Sequence, residues 1–179
     1  MPGKHTIKKY LAEGIYHIYN RGNRKKEIFV VPDDYMLFEH LLECYLSSYT
    51  PKTSSRRNFH GRIRLFAYCL MPNHFHLLVK QACTTDIAKF MQSITTSYSM
   101  IFNRKYNLVG RLFQGPYKGR LVESVEDFVQ VFNYIHENPK EIWKAYGLYP
   151  YSSQRAYLRN EKITFITKPN DEGINLTTG

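Results

Sequence analysis

The sequence predicts an α+β domain of the ferredoxin-like class, in which an open antiparallel sheet carries helices packed mainly on one face. Three observations predict it. First, the patterns along the chain follow the order strand, helix, strand, strand, helix, strand, helix. Second, the two adjacent strands in the middle form a hairpin pattern. Third, helical patterns separate the other strands. At 179 residues with 43% hydrophobic residues, the chain is long and apolar enough to bury one core.

The first two elements are a strand and an amphipathic helix. Residues 15–20 are rich in β-prone side chains and end at a basic turn over residues 21–23. Pro32 and two following aspartates form a typical helix start. Apolar residues then recur at spacings of three and four, so a helix is predicted to about Ser48.

A β-hairpin is predicted next. Residues 62–70 alternate between two faces, with Ile63, Leu65 and Ala67 expected on the same face. Turn-forming residues 71–73 follow, and β-type alternation resumes over 74–80. We therefore expect an antiparallel hairpin near the middle of the sheet.

The second half of the chain predicts a long helix, a short strand and a third helix. A sustained i, i+3, i+4, i+7 apolar pattern begins near Asp86, and residues 117–122 read as a strand. The capping box that opens at Ser124 begins the third helix. Because Pro139 disfavours the α conformation at the preceding residue, this helix is expected to stop at Asn138.

One domain with an extension is the predicted organisation. Residues 1–140 contain the sheet and the three helices, and form the predicted catalytic domain. Residues 141–179 are less regular and are predicted to be an extension of the same domain, with a short helix within 151–159. The last ten residues are polar enough to be a loose tail.

Composition favours a polyanionic partner, with nucleic acid as the first candidate. The chain has 25 Lys and Arg against 15 Asp and Glu, giving a net charge of +10. Three cysteines without paired short spacing argue against a disulfide framework and against a cysteine zinc site. We find no signal-peptide pattern and no membrane-length apolar run. A cytoplasmic, nucleoid-associated protein that does not contact membranes is expected.

Two histidines in the second hairpin strand suggest a metal site. His74 and His76 are separated by Phe75, and strand alternation directs both imidazoles to one side. Such a pair can also be two ordinary polar residues at a hairpin end, so a third ligand is required. On the third helix, Tyr134 and Asn138 lie about one turn apart on the same flank. The Asn138 amide oxygen could complete the ligand set, with Tyr134 beside it.

Several blocks of the sequence resemble the REP-associated tyrosine transposases, a branch of the single-tyrosine HUH transposases within the IS200-like superfamily. The main blocks are residues 68–79 (YCLMPNHFHLLV), 110–114 (GRLFQ) and 134–139 (YIHENP). Shorter matches occur at residues 16–22, 29–35 and 150–153, so the resemblance spans roughly residues 14–158.

The resemblance implies the HUH endonuclease/transposase fold and a DNA strand-transfer enzyme. At the matching positions it implies Tyr134 as the nucleophile, and His74, His76 and Asn138 as ligands of Mg²⁺ or Mn²⁺. Histidine ligation favours Mn²⁺ over the harder Mg²⁺. The implied substrate is single-stranded or hairpin DNA, formed by a repeat sequence, and the implied intermediate is a phosphotyrosine on the 5′ side of the break.

Basic residues near the predicted strands supply the expected phosphate contacts. The predicted set is Arg21, Arg24, Lys25, Arg62, Arg64, Arg111, Lys118 and Arg120.

Two alternatives to this enzyme follow from the residues. A non-catalytic nucleic-acid-binding protein on the same fold would bind DNA without cutting it. A phosphoesterase with three alternating histidines is disfavoured because position 78 is Leu. Both a monomer and a homodimer are compatible with the sequence, since a dimer could exchange the third helix and place Tyr134 beside the histidines of the other subunit.

Overall fold

A four-stranded antiparallel sheet forms the centre of the protein, in a computed structural model that describes residues 10–48, 57–144 and 148–176. The strand order is β2-β3-β1-β4, which is the ferredoxin-like order, and the predicted fold class is confirmed. The hairpin forms as predicted, but its first strand is an edge strand, so β3 and β1 occupy the middle. The strands are β1 (Ile15–Arg21), β2 (Ile63–Met71), β3 (His74–Gln81) and β4 (Lys118–Leu121).

Helices cover both faces of the sheet. The long helices α1 (Pro32–Leu46) and α2 (Asp86–Lys105) share one face and enclose the larger core, as predicted. Helix α3 (Val125–Glu137) packs on the opposite face over β2 and β3, around a second core. A short helix, α4 (Gln154–Leu158), follows in the extension. Strand side chains that point away from α1 and α2 therefore lie under or beside α3.

A β-bulge in β2 makes the predicted alternation of that strand wrong. The pairing with β3 shifts register between Leu65 and Ala67. Ile63 and Leu65 consequently belong to the core under α1 and α2, whereas Ala67 and Cys69 belong to the core under α3. A bulge adds one residue to a strand and thereby exchanges the faces of all residues beyond it.

The end of α3 differs from the prediction in its backbone conformation. Asn138 keeps helical angles (φ −51°, ψ −37°) although Pro139 follows it, and the chain continues as a 3₁₀ turn over Asn138–Glu141. Proline is tolerated at the start of such a turn, where no N–H is needed. The predicted start is confirmed, since Ser124 Oγ accepts a hydrogen bond from Asp127 N at 3.1 Å.

The C-terminal extension covers the free edge of β2. Leu70 N donates to Tyr151 O at 2.9 Å, and Ser153 N donates to Tyr68 O at 3.0 Å. Thr167 N adds a third bond to this strand. Pairing of this kind protects an edge strand from association with other chains.

Most of the predicted loose tail packs against the domain. Glu172 forms ion pairs with Arg64 and, at 2.8 Å, with Lys80. Ile174 and Leu176 pack against the second core. This part of the tail packs because the Glu172 carboxylate meets two strand cations and the two apolar residues meet the second core. Residues 177–179 lie outside the described residues.

Two expectations from composition can be compared with the structure. Cys44, Cys69 and Cys83 are all free thiols. Across the described ranges, no helix has both the length and the apolar character that crossing a membrane requires.

A buried carboxylate links the start of α1 to the end of α2. Asp34 accepts hydrogen bonds from the backbone of Val30 (2.9 Å) and Val31 (3.1 Å), from Tyr106 Oη (2.8 Å) and from Lys105 Nζ (2.6 Å). Burial opposes ionisation of this carboxyl, but the four hydrogen bonds prevail and lower the pKa of Asp34. Asp34 is therefore an ionised anchor between two helices.

Replacing this anchor is expected to destabilise the fold. Asp34→Ala should lower the free energy of unfolding by about 2–3 kcal/mol, because it leaves buried donors without an acceptor. Urea unfolding at pH 7 measures the change. Asp33→Ala, at an exposed position on the same turn, is the control and should change it by less than about 0.5 kcal/mol.

The loss should also depend on pH. Because folding depresses the pKa of Asp34, its contribution is complete above the unfolded-state pKa of about 3.9 and disappears as pH falls through the lower folded-state pKa. The stability difference between the parent and Asp34→Ala should therefore shrink in acid. Equal effects of Asp34→Ala and Asp33→Ala would contradict this assignment.

Candidate active site

Two histidines and an asparagine meet on the sheet face that α3 covers. Alternation along β3 directs His74 and His76 to this face, while Phe75 enters the opposite core. Asn138, at the end of α3, approaches both imidazoles. Its Oδ1 lies 3.2 Å from His74 Nε2, and its Nδ2 lies 3.5 Å from His76 Nε2. The structure thus brings together the ligand set predicted from the sequence.

Hydrogen bonds on the far side of His74 determine which of its nitrogens carries the proton. Asn73 Oδ1 lies 2.6 Å from His74 Nδ1, while the Asn73 amide nitrogen donates to Lys25 O. An amide oxygen can only accept, so Nδ1 of His74 is protonated and Nε2 presents a lone pair. That lone pair faces Asn138 Oδ1, a second acceptor. Two lone pairs that face each other in this way can both coordinate one cation.

A third histidine supports His76 from the neighbouring strand. His17 Nε2 lies 2.9 Å from His76 Nδ1, and both side chains are buried. This contact fixes the orientation of the His76 ring and directs Nε2 toward Asn138. His17 lies in the resembling segment 16–22, but no feature of the sequence indicates its role. Its position in the β1 alternation places it on the α3 face once β1 pairs with β3.

All three imidazoles are neutral near pH 7. Burial, with the nearby His17 and His74, lowers the pKa of His76 to about 3. Burial and the Arg120 charge lower the pKa of His17 to about 4. Burial also lowers the pKa of His74, although the Asn138 side-chain oxygen, which would accept a hydrogen bond from a protonated Nε2, acts in the opposite direction. Neutral imidazoles are the form that binds metal ions.

The donor set of this site is two imidazoles and one amide. In the parts of the chain that the structure describes, no cluster of three or more His, Cys, Asp or Glu side chains is placed to hold a metal ion. Asn138 nevertheless lies against both imidazoles, with Oδ1 facing His74 Nε2 and its amide nitrogen facing His76 Nε2, so the three side chains can supply a neutral N, N, O set. Such a set fits a divalent ion that keeps open coordination positions.

Tyr134 projects from α3 beside the histidines. Its ring centroid lies 5.5 Å from that of His76 and 5.9 Å from that of His17, nearly edge-on to both. Its side chain is 51% exposed and lies at the boundary of the cavities around the site. The phenol is therefore accessible to a substrate that contacts His74 and His76.

A second tyrosine occupies the same site. Tyr19, in β1, has its ring centroid 5.8 Å from that of His76 and lines two of the cavities that Tyr134 lines. Tyr19 was not among the site residues predicted from the sequence. The alternation that places His17 on this face places Tyr19 there as well.

Contacts with the C-terminal extension hold α3 in position. His136 Nε2 lies 2.8 Å from Ser153 Oγ, which also accepts a hydrogen bond from Tyr68 N at 2.9 Å. Both His136 and Ser153 are buried. Tyr134 and Asn138 are thus positioned beside the histidines of their own chain, and one subunit contains the whole constellation.

Some of the predicted DNA contacts lie around this constellation. Arg21 and Lys118 line a cavity of about 530 Å³ together with both histidines and Tyr134. Lys25 lines the cavity that Asn138 borders. Arg120 lines the cavity beside His17, but its guanidinium is held by two hydrogen bonds to the Asp127 carboxylate, at 2.8 and 2.9 Å.

Other predicted contacts lie away from the histidines. Arg62 and Arg64 are at the opposite end of the hairpin, roughly 23–30 Å along the strand from Met71, which pairs with His74. Each is ion-paired, Arg62 with Asp86 and Arg64 with Glu172. The structure therefore does not bring these two arginines to the site.

Arg24 and Arg111 occupy separate positions. Arg24 lies exposed in the 3₁₀ turn over Asn23–Lys25, with a left-handed φ of 54°. Arg111 lines a groove next to the active-site cavity, between α2 and the segment before β4.

Comparison with known proteins identifies the family. A family model described as transposase IS200-like matches residues 10–138. A solved structure of a REP-associated tyrosine transposase bound to a REP hairpin superposes with a TM-score of 0.61 and 15% identity, covering 95% of this chain and 91% of that chain. A candidate transposase from Deinococcus radiodurans R1 gives a TM-score of 0.46 and 17% identity, over 72% and 92% of the two chains. No curated protein matches the sequence.

The family match covers the parts of the chain that build the site. It begins before β1 and ends at Asn138, so it includes the sheet, α1, α2, α3, the paired histidines and Tyr134. The first structural relative independently shows the same fold over nearly the whole chain. The family predicted from the sequence is confirmed, and the chain belongs to the IS200-like transposases.

Proposed function

We propose that this transposase is a metal-dependent endonuclease and strand transferase for single-stranded DNA, and that Tyr134 is its nucleophile. The observation that carries the proposal is the position of the accessible Tyr134 phenol against His76, beside the donors of His74 and Asn138. A protein that only binds DNA has no need of this arrangement.

The metal would be held by His74 Nε2, His76 Nε2 and Asn138 Oδ1. When bound, a divalent ion supplies positive charge to the non-bridging oxygens of the scissile phosphate. All three donors are neutral, so they leave that charge undiminished. We propose Mg²⁺ or Mn²⁺, with Mn²⁺ favoured by the two imidazoles.

Tyr134 would carry out the covalent step. Its Oη attacks the phosphorus and forms an O–P bond to the phosphate that stays on the 5′ end of the cut strand. The bond between the phosphorus and the 3′ oxygen breaks. The phenol loses one proton and the departing 3′ oxygen gains one, so the step is balanced without a further reactant. A later attack by a free 3′-hydroxyl reverses the same exchange and joins two strands.

Tyr134 is favoured over Tyr19 by its position on the helix. It lies one turn from Asn138, borders the cavity that Asn138 lines, and is more exposed than Tyr19. Tyr19 instead lies on the sheet beside His17, whose ring centroid is 5.2 Å away. We assign Tyr19 a supporting position in the wall of the cavity.

Hairpin-forming repeat DNA is the proposed substrate. Arg21 and Lys118 line the cavity beside the histidines and provide charge for phosphates. The structural relative bound to a REP hairpin supports this class of DNA. We further propose association with the nucleoid as the consequence of DNA binding, and activity as a monomer, because the site is complete in one subunit.

A cleavage assay tests this proposal. The purified protein is incubated with Mn²⁺ or Mg²⁺ and end-labelled hairpin DNA taken from beside its own gene, and the products are separated under denaturing conditions. We expect a cut strand and a protein-linked band, both absent with a chelator. DNA binding without either product, in both metals, would favour the non-catalytic alternative.

His17 is expected to act by positioning His76. His17→Ala should weaken Mn²⁺ binding by about 10–100-fold, because His76 loses the contact that orients its ring. Titration calorimetry of Mn²⁺ into the purified protein measures this.

The matched control is an exposed histidine elsewhere. His60→Ala should leave Mn²⁺ affinity unchanged, and His17→Gln, which keeps a hydrogen-bonding group, should recover part of the loss. Equal Mn²⁺ affinity in the parent and His17→Ala would contradict the positioning role.

A further inference from the structure

A buried polar junction joins α3 to the edge of β2 through the C-terminal extension. His136 Nε2 lies 2.8 Å from Ser153 Oγ. The same hydroxyl oxygen accepts a hydrogen bond from Tyr68 N at 2.9 Å and donates one to Tyr68 O at 3.3 Å. His136 and Ser153 are 7% and 0% exposed, and Ser153 lies beyond residues 10–138, which the family model matches. Three segments that are distant in sequence therefore meet at one hydroxyl group.

The hydrogen-bonding capacity of Ser153 fixes the direction of its bond with His136. A hydroxyl group has one hydrogen to donate and two lone pairs that accept. Tyr68 O receives the hydrogen, and Tyr68 N occupies one lone pair. The other lone pair faces His136 Nε2, so that nitrogen carries a hydrogen and donates it. Because burial lowers the pKa of His136 to about 4, the ring is neutral near pH 7 and Nε2 carries its one N–H hydrogen.

The junction lies on the opposite side of α3 from the residues of the site. With 3.6 residues per helical turn, His136 lies roughly 200° around the helix axis from Tyr134 and roughly 160° from Asn138. Buried apolar residues such as Phe132 and Ile135 hold α3 on the second core, but apolar burial has no preferred direction. A hydrogen bond is directional, so the bond from His136 restricts rotation and sliding of the last turn. It thereby restricts where Tyr134 and Asn138 lie.

Small displacements of this turn would change the geometry of the site. Asn138 Oδ1 lies 3.2 Å from His74 Nε2, and the Tyr134 ring lies nearly edge-on to the His76 ring, with 5.5 Å between their centroids. A misplacement of about 1 Å can slow a reaction by about 100-fold, because the reacting atoms must be aligned. Neither residue of the junction lines the three cavities that Tyr134 borders. The junction therefore acts on the site only through the helix.

We propose that His136 and Ser153 are positioning residues for DNA strand transfer, and that their hydrogen bond holds Tyr134 and Asn138 in place against the paired histidines. The C-terminal extension is then required for the reaction as well as for covering the edge of β2. This proposal rests on the proposed function for the roles of Tyr134 and Asn138. It adds two residues that contact neither the metal nor the DNA.

Two substitutions that remove the bond test the proposal. Ser153→Ala deletes the acceptor, and His136→Leu deletes the donor from a side chain of similar size. Single-turnover formation of the covalent DNA product, with saturating hairpin DNA and Mn²⁺, should slow by about 10–100-fold in each. Excess Mn²⁺ should not restore the rate, because Tyr134 is displaced together with Asn138. The Kd for hairpin DNA, measured by anisotropy, should stay within about twofold of the parent.

Variants that keep the bond separate positioning from stability. His136→Gln retains an amide donor and should recover the rate to within about fivefold of the parent. Tyr157→Phe removes another hydrogen bond from the extension to β2, the one to Phe66 O, but leaves the junction intact. It should lower the urea midpoint, as Ser153→Ala does. Its rate should nevertheless stay within about twofold of the parent under conditions where all variants are folded.

Amide hydrogen exchange gives a readout that does not depend on cleavage. Residues 133–138 should exchange faster in Ser153→Ala than in the parent or in Tyr157→Phe. Equal rates of product formation in Ser153→Ala and the parent, equal losses in Ser153→Ala and Tyr157→Phe, or no advantage of His136→Gln over His136→Leu would overturn the proposal. If the parent forms no covalent product while hydrogen exchange changes as expected, the proposed function fails and the anchoring of α3 stands.

Discussion

Tyr134→Phe is expected to remove the covalent protein–DNA product, lowering its rate of formation by at least about a thousandfold. The substitution deletes only the attacking oxygen. Because the side chain is half exposed, stability should change by less than about 0.5 kcal/mol. Single-turnover cleavage of labelled hairpin DNA in Mn²⁺, separated under denaturing conditions, measures the rate, and anisotropy should show hairpin affinity within about twofold.

Tyr19→Phe is the matched control for this prediction. It removes the other phenol in the same site, whose ring is almost as close to His76. We expect Tyr19→Phe to keep the covalent product at a rate within about tenfold of the parent. Loss of the product in Tyr19→Phe and its survival in Tyr134→Phe would reverse the assignment.

His76→Ala is the second large effect that we expect. It removes one of the three proposed donors, so Mn²⁺ affinity should fall by at least about 100-fold and DNA cleavage should fall to background. Asn138 and His74 remain, but two donors do not hold the ion in place. Calorimetric titration with Mn²⁺ and the cleavage assay measure the two losses separately.

Excess metal distinguishes a ligand from a positioning residue. High Mn²⁺ should restore much of the cleavage in His17→Ala, where all donors are present, and little in His76→Ala. His40→Ala removes an exposed histidine from α1 and should match the parent in both assays. Normal Mn²⁺ binding by His76→Ala would show that the ion, if bound, is held elsewhere.

The order of the elements and much of the site follow from local patterns. Helix α2 is predictable because its buried residues repeat with the helical period over its whole length. His74 and His76 are predictable as a pair because alternation in a strand needs no knowledge of its neighbours. Tyr134 and Asn138 share a flank for the corresponding reason in a helix.

Features that depend on distant pairing are not predictable in this way. His17 reaches His76 only through the antiparallel pairing of β1 with β3, which a local pattern does not contain. The bulge in β2 lies among residues 65–67, which are all apolar, so polarity cannot indicate where the alternation shifts.

The same reason accounts for the misplaced arginines. Arg62 and Arg64 lie at the start of the first hairpin strand, and their charge alone suggested DNA contacts. Their carboxylate partners, Asp86 and Glu172, come from α2 and from the C-terminal extension. Only the folded chain shows that these charges are already compensated.

Mapping the covalent bond tests the central claim most directly. The unmodified protein is incubated with Mn²⁺ and hairpin DNA, digested with nuclease and trypsin, and the linked peptide is identified by mass spectrometry. Cleavage after Arg120 and Lys140 releases residues 121–140, in which Tyr134 is the only tyrosine. We expect a nucleotide phosphate on that peptide. A nucleotide on residues 10–21, which contain Tyr19, or cut DNA with no linked peptide, would contradict the account.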